Sequence, residues 1–148
     1  MATAPFTLSR QVEFRDTDAA GIMHFSVFFT FMEEAEHAFL RDLGLNIMLQ
    51  DPSGPFSFPR VNASCDYKSP LRFEDTVEIA VRILRIGQKS VTYEFDFHSQ
   101  GRAIALGRIT AVTCRLLPNG QIGSIPLPDW VAAKLHAVGI APTPGSGP

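Results

Sequence analysis

Residues 14–29, FRDTDAAGIMHFSVFF, lie where one periodicity gives way to another. Upstream, FTLSRQVEFR (residues 6–15) alternates as a half-buried strand does, with Val12 and Phe14 on one face. DTDAAG then interrupts with turn-forming residues. From Ser26 on, Phe28, Met32, Ala35, Phe39 and Leu43 recur at steps of three and four, the spacing of an amphipathic helix. Phe29, Phe31 and Leu40 widen that stripe, so much of the helix is expected to be buried. Glu33, Glu34, Glu36, Arg41 and Asp42 are expected to form its polar surface. Ser26 is the expected N-cap and Gly44 the C-cap glycine, which gives a helix over about residues 26–43. Two carboxylates, Asp16 and Asp18, therefore stand just ahead of a helix start.

Downstream, residues 46–60 contain Pro52, Gly54, Pro55 and Pro59 and are expected to form a long loop. Strand patterns follow at 61–69, 76–86, 90–98 and, as a more continuous apolar run, 102–117. Gly87-Gln88-Lys89 and Ser99-Gln100-Gly101 are short enough for antiparallel hairpins. Pro128-Asp129-Trp130 opens a short helix to about Val138, with Trp130 expected to anchor it. APTPGSGP, residues 141–148, has the composition of a disordered tail, so a single domain over 1–140 is expected. One strand, one long buried helix and four hairpin-linked strands predict an α+β domain in which an antiparallel sheet curls around the helix. Its outer face and edge strands invite dimerisation.

The chain has 148 residues, 45% of them hydrophobic and 19% charged, in the range of ordinary globular proteins. A net charge of -2 offers no basic field for nucleic acid. No apolar run reaches membrane-spanning length, and residues 1–11 lack the pattern of a secretory signal. Cys65 and Cys114 stand alone in strand-like segments, which suits reduced thiols in a cytoplasmic protein. Four scattered His and two Cys give no metal-ligand spacing, so no metal is expected.

The helix start supplies free N–H groups and the positive end of the dipole, which stabilise a developing oxyanion. A carboxylate beside it is what thioester hydrolysis still needs, because the thiolate leaves without a strong acid. Asp18 can attack the carbonyl or activate a water. Asp16, two residues away, is read as fixing the turn through backbone hydrogen bonds, and Gly21 as serving its backbone geometry. His24 reads as a pocket wall with a minor chance of touching substrate. Asn62 and Ser64 share one face of a strand and could reach substrate from a partner subunit; Cys65 faces the other way. Arg60, Arg85, Lys89 and Ser90 flank loops and hairpins and could hold phosphates, with the GQKS turn the preferred place.

The order of elements, with DTDAAGIMHF ahead of the helix, FPRVNASCDYKSP after the loop and RIGQKSVTYEFDF beyond it, resembles the hotdog-fold acyl-CoA thioesterases over residues 8–117. The similarity is to the 4-hydroxybenzoyl-CoA thioesterase subfamily, which includes the 1,4-dihydroxy-2-naphthoyl-CoA hydrolases. It implies a catalytic carboxylate at Asp18, a carbonyl-polarising backbone amide at Phe25 and the turn glycine at Gly21. It also implies a CoA thioester substrate, no cofactor, and homodimers that pair into tetramers. Many short-chain members carry a histidine where this chain has Phe25, with His24 one place earlier; an aromatic there points to an aromatic acyl group. A related subgroup places its carboxylate on the central helix, which makes Glu33 the reserve candidate. Two other readings share the fold: a dimer that binds or senses acyl-CoA without turnover, and a hydro-lyase acting on acyl-carrier-protein thioesters. The second expects a glycine- and proline-rich segment around a histidine, which this chain lacks.

Overall fold

The computed structural model describes residues 4–142. The main sheet is antiparallel, with strand order β1 (Phe6–Gln11), β5 (Thr76–Ile86), β6 (Ser90–Ser99), β7 (Arg102–Val112) and β4 (Arg60–Tyr67). The helix α1 (Val27–Asp42) lies against one face. Val77, Ile79, Val81 and Ile83 of β5 and Tyr93, Phe95 and Phe97 of β6 form the core with Phe28, Phe31, Met32 and Phe39 of α1. Phe28 meets Phe97 at 5.3 Å and Phe39 meets Tyr93 at 6.0 Å between ring centroids. The register shifts at Arg60/Asn62, Ile83/Arg85 and Phe97/His98 interrupt the ladders, and interruptions of the bulge kind bend strands. This is the α+β hotdog arrangement expected from the sequence.

Helix and sheet come close together at Gly107 of β7. A Cβ there would collide with Sδ of the fully buried Met32. Glycine weakens a strand interior, and here it is the residue that leaves room for the helix.

Four local expectations are corrected. The first strand ends at Gln11, not Arg15, and Phe14–Asp16 forms one turn of 3-10 helix. The expected loop at 46–60 contains a hairpin, β2 (Met48–Asp51) and β3 (Gly54–Ser57). Its Pro and Gly residues read as breakers, but β3 pairs with β8 (Cys114–Leu116), and Arg115 clamps Asp51 with bonds of 2.7 and 3.0 Å. The run at 102–117 is two strands, because the chain leaves the main sheet at the buried Thr113 and enters a small sheet ordered β2-β3-β8-β9, with β9 at Ile122–Ser124. Finally, Glu36 is not surface: it is 1% exposed among the buried residues of α1.

The C-terminal helix α2 (Asp129–Val138) docks through the buried Val131 and Leu135. Trp130 is 44% exposed and only lies edge-on to Phe56, so it shares rather than carries that contact. Ala141 donates its N–H to Ile83 O at 2.8 Å, and the rest of the expected tail, from residue 143, lies outside the described residues.

Replacing Gly107 with valine should overpack the helix–sheet contact and lower unfolding free energy by about 1–3 kcal/mol, read from urea denaturation.

Candidate active site

The segment between β1 and α1 is a small closed hairpin. Thr17 and Met23 form an antiparallel bridge, the Asp18 N–H donates to Ile22 O at 2.9 Å, and the Gly21 N–H donates to Asp18 O at 2.9 Å. Gly21 completes the turn at φ +77°, a conformation that favours glycine. Asp16 closes the base: its carbonyl accepts the His24 N–H and its Oδ2 accepts the Glu13 N–H, both at 2.8 Å. Met23 N–H donates to Leu71 O at 2.7 Å and ties the hairpin to the segment before β5.

Asp18 is half-buried at the start of the turn. Its Oδ1 accepts the Ala20 N–H at 2.8 Å, while Oδ2 has no protein partner among the described residues. Ser26 stands at the N-cap position of α1 as expected, but it has helical dihedrals and makes no side-chain capping bond. The imidazole of His24 does this work instead. Its Nδ1 accepts the Ser26 N–H at 3.2 Å and lies 2.8 Å from Ser26 Oγ. The His24 ring also stacks on Phe25, with centroids 4.7 Å apart. The N–H of Phe25 has no protein acceptor among the described residues.

Asp18 and Phe25 line the same cleft, of about 390 Å³, with Ile22, Met23, Phe28 and Tyr67 as apolar walls and Lys68 as its basic residue. A larger cleft of about 600 Å³ opens at the other end of α1, beside Leu43. A helix C-terminus presents carbonyls and negative potential there, which is the wrong polarity for polarising a carbonyl group.

The protomer separates the remaining candidates from this cleft. Asn62 and Ser64 pair with Thr110 and Arg108 on the sheet face away from α1, while Cys65 and Tyr67, opposite Gly107 and Ala105, face the helix. Arg85, Lys89 and Ser90 stand at the far end of β5 and β6, roughly 30 Å from the Thr76 end by strand rise. Lys89 Nζ is 3.4 Å from Ser124 Oγ. Glu33 is 54% exposed and lies about 12 Å along the helix from Phe25. Arg60 is turned inward: it bonds Glu36, approaches Glu33 at 3.9 Å and His37 Nε2 at 3.2 Å. Burial is the largest effect on Glu36, and it outweighs the attraction of Arg60, so the carboxyl is pushed up to about 7. Burial and the Arg60 charge together hold His37 below its ordinary value. The Cys65 thiol is pushed up by burial to about 11, too high for a thiolate nucleophile at neutral pH. Among the described residues no three of His, Cys, Asp and Glu converge as a metal-ligand set.

Two residues that sequence reasoning left unassigned bear on the cleft. Lys68 is its cation, and Tyr67 donates its hydroxyl to Phe25 O at 2.8 Å. Both lie in the quoted CDYKSP stretch, but only the tertiary fold brings them to the helix start.

The family model described as the thioesterase-like superfamily matches residues 12–135. The chain belongs to the thioesterase-like superfamily. Thioester hydrolysis is the activity that this membership carries. A protein from Aquifex aeolicus, named only as a presumed esterase, is 32% identical over 132 residues, covering 82% of this chain and 92% of its own. A 1,4-dihydroxy-2-naphthoyl-CoA hydrolase of Synechocystis is 29% identical over 129 residues, 86% of this chain and 93% of its own. The solved structure of a gentisyl-coenzyme A thioesterase superposes with a TM-score of 0.75 at 33% identity, covering 88% of this chain and 99% of that one.

The buried Glu36 gives this thioesterase a distinct pH signature. A carboxyl whose folded pKa is raised stabilises the fold most fully at low pH, and that contribution is lost as pH rises through about 7. Compared with a Glu36→Gln variant, the unmodified protein should lose about 3 kcal/mol of unfolding free energy between about pH 4.5 and 7.5. Parallel denaturation curves for the two proteins would show no divergence if Glu36 titrated normally.

Proposed function

We propose that the protein hydrolyses acyl-CoA thioesters with aromatic or medium acyl groups, using Asp18 as nucleophile or general base and the Phe25 amide as carbonyl donor. One observation carries this reading. Among the described residues, a carboxylate with a free oxygen and an unpaired N–H at a helix start line a single apolar cleft. The thioester carbonyl oxygen accepts the Phe25 N–H, so negative charge develops against a fixed donor. Asp18 then attacks the carbon, the C–S bond breaks, CoA leaves as thiolate, and water hydrolyses the resulting anhydride. In the general-base route Asp18 instead takes a proton from the attacking water, and the thiolate leaves in the same way. Either route gives free acid and CoA thiol, and neither needs a cofactor. The walls formed by Ile22, Met23, Phe28 and Tyr67 suit a flat apolar acyl group.

The active form is a dimer, with dimers pairing into a tetramer. Among the described residues β4 has one neighbour, β7, and a free outer edge, and Val61 and Tyr67 on it are 63% and 46% exposed. A long exposed edge strand invites pairing with another chain. Two-fold antiparallel pairing along β4 sets the Arg60 end of one copy beside the Tyr67 end of the other. That carries Arg60 and the GQKS turn of the second copy toward this cleft, where Arg85, Lys89 and Ser90 join Lys68 in holding the CoA phosphates, while Asn62 and Ser64 stay on the sheet face away from both helices. The free thiols of Cys65 and Cys114 support work in the cytoplasm.

Thiol release from benzoyl-, 1,4-dihydroxy-2-naphthoyl-, short-chain and long-chain acyl-CoA, followed with a thiol-reactive dye, tests the proposal. Turnover should favour the aromatic esters. Asp18→Asn should lower kcat by about 10²–10⁴-fold with little change in binding. Tight binding without thiol release would make the protein a sensor, and full turnover in the variant would move the catalytic role to Glu33.

A further inference from the structure

We propose that Tyr67 is a positioning residue that aims the Phe25 amide into the cleft. Two peptide groups meet at the Phe25 Cα, and together they carry four polar groups. The His24 carbonyl accepts the Val27 N–H at 3.0 Å. The Ser26 N–H donates to His24 Nδ1 at 3.2 Å. The Phe25 carbonyl accepts the Tyr67 hydroxyl at 2.8 Å. The fourth group, the Phe25 N–H, is left free among the described residues.

In a helix extended back by one turn, the Phe25 carbonyl would accept the Phe29 N–H. Here the Phe29 N–H goes to Ser26 O at 3.2 Å, so the Phe25 carbonyl is an orphan until Tyr67 reaches it. The other two bonds are local, formed within three residues. The Tyr67 bond spans 42 residues and joins the helix start to the edge strand β4. It therefore fixes the rotation of the Phe25 backbone relative to the sheet, which local contacts leave adjustable. The phenol is itself held. Its ring meets Phe28 edge-on at 5.0 Å and 83°, and both rings line the cleft.

The position also explains why a tyrosine on an edge strand points to the helix side. It faces α1 in register with the buried Ala105, with its ring against Phe28. A phenylalanine would keep that packing and lose only the hydroxyl.

This inference rests on the thioesterase reading for its kinetic consequence, so the test has a readout that does not need turnover. In Tyr67→Phe, kcat on 1,4-dihydroxy-2-naphthoyl-CoA should fall by about tenfold, since a misaimed donor loses part of its oxyanion stabilisation. KM should stay within about twofold, because the apolar wall is intact. The backbone amide resonances of Phe25 and Ser26 in the ¹⁵N-labelled protein should shift or broaden, while those of the α1 interior stay in place. Unchanged kcat or unchanged Phe25 and Ser26 resonances would overturn the proposal. A loss confined to thermal stability would do so too. If the unmodified protein releases no thiol from any ester while the Phe25 resonance still moves in the variant, the thioesterase reading fails and the positioning role stands.

Discussion

The arrangement depends on the bond from the His24 N–H to the Asp16 carbonyl, 2.8 Å long, which closes the base of the hairpin. It holds the chain entering α1 against the chain leaving β1, so Asp18 on one arm and Phe25 just past the other keep a fixed relation. Without closure, the carboxylate would ride on a loop and the amide on a helix, each with its own motion. With it, both sit on one hydrogen-bonded unit, and Met23 bonds that unit to Leu71. For the proposed mechanism this means a donor fixed before substrate arrives, the condition under which it stabilises charge without reorganising.

Each polar group here has a division of labour. Asp16 is 7% exposed and spends both its carbonyl and its carboxylate on the backbone. Asp18, two residues on, keeps one carboxylate oxygen free of protein contacts among the described residues. His24 turns its Nδ1 to the helix end and so removes from Ser26 the capping role that its hydroxyl would otherwise fill. The helix dipole then faces the cleft across a local cap that leaves one N–H, that of Phe25, unclaimed among the described residues.

Most of the architecture could be read in advance because it follows from periodicity. The stripe of α1 and the alternation of β5 and β6 repeat over enough residues to outweigh local exceptions. The β2–β3 hairpin could not be read this way. Its residues look like breakers, and what makes them strands is the pairing to Cys114 and Arg115, far along the chain. Glu36 was partly legible: it falls on the Met32–Leu40 line of the helix, where burial was foreseeable, but its partner Arg60 is supplied by another element. The Asp-x-x-Gly turn stands out in sequence because its bonds are local. Tyr67 and Lys68 do not, since a strand tyrosine and a lysine gain their meaning only from what the fold sets opposite them.

The most direct measurement is a crystal structure of the Asp18→Asn protein with 1,4-dihydroxy-2-naphthoyl-CoA bound. The account predicts a thioester carbonyl oxygen about 3 Å from the Phe25 nitrogen, with the side chain at position 18 facing the carbonyl carbon and the ring system between Met23, Phe28 and Tyr67. A bound ester whose carbonyl lies away from Phe25, or an acyl group seated in the cleft beside Leu43, would contradict it.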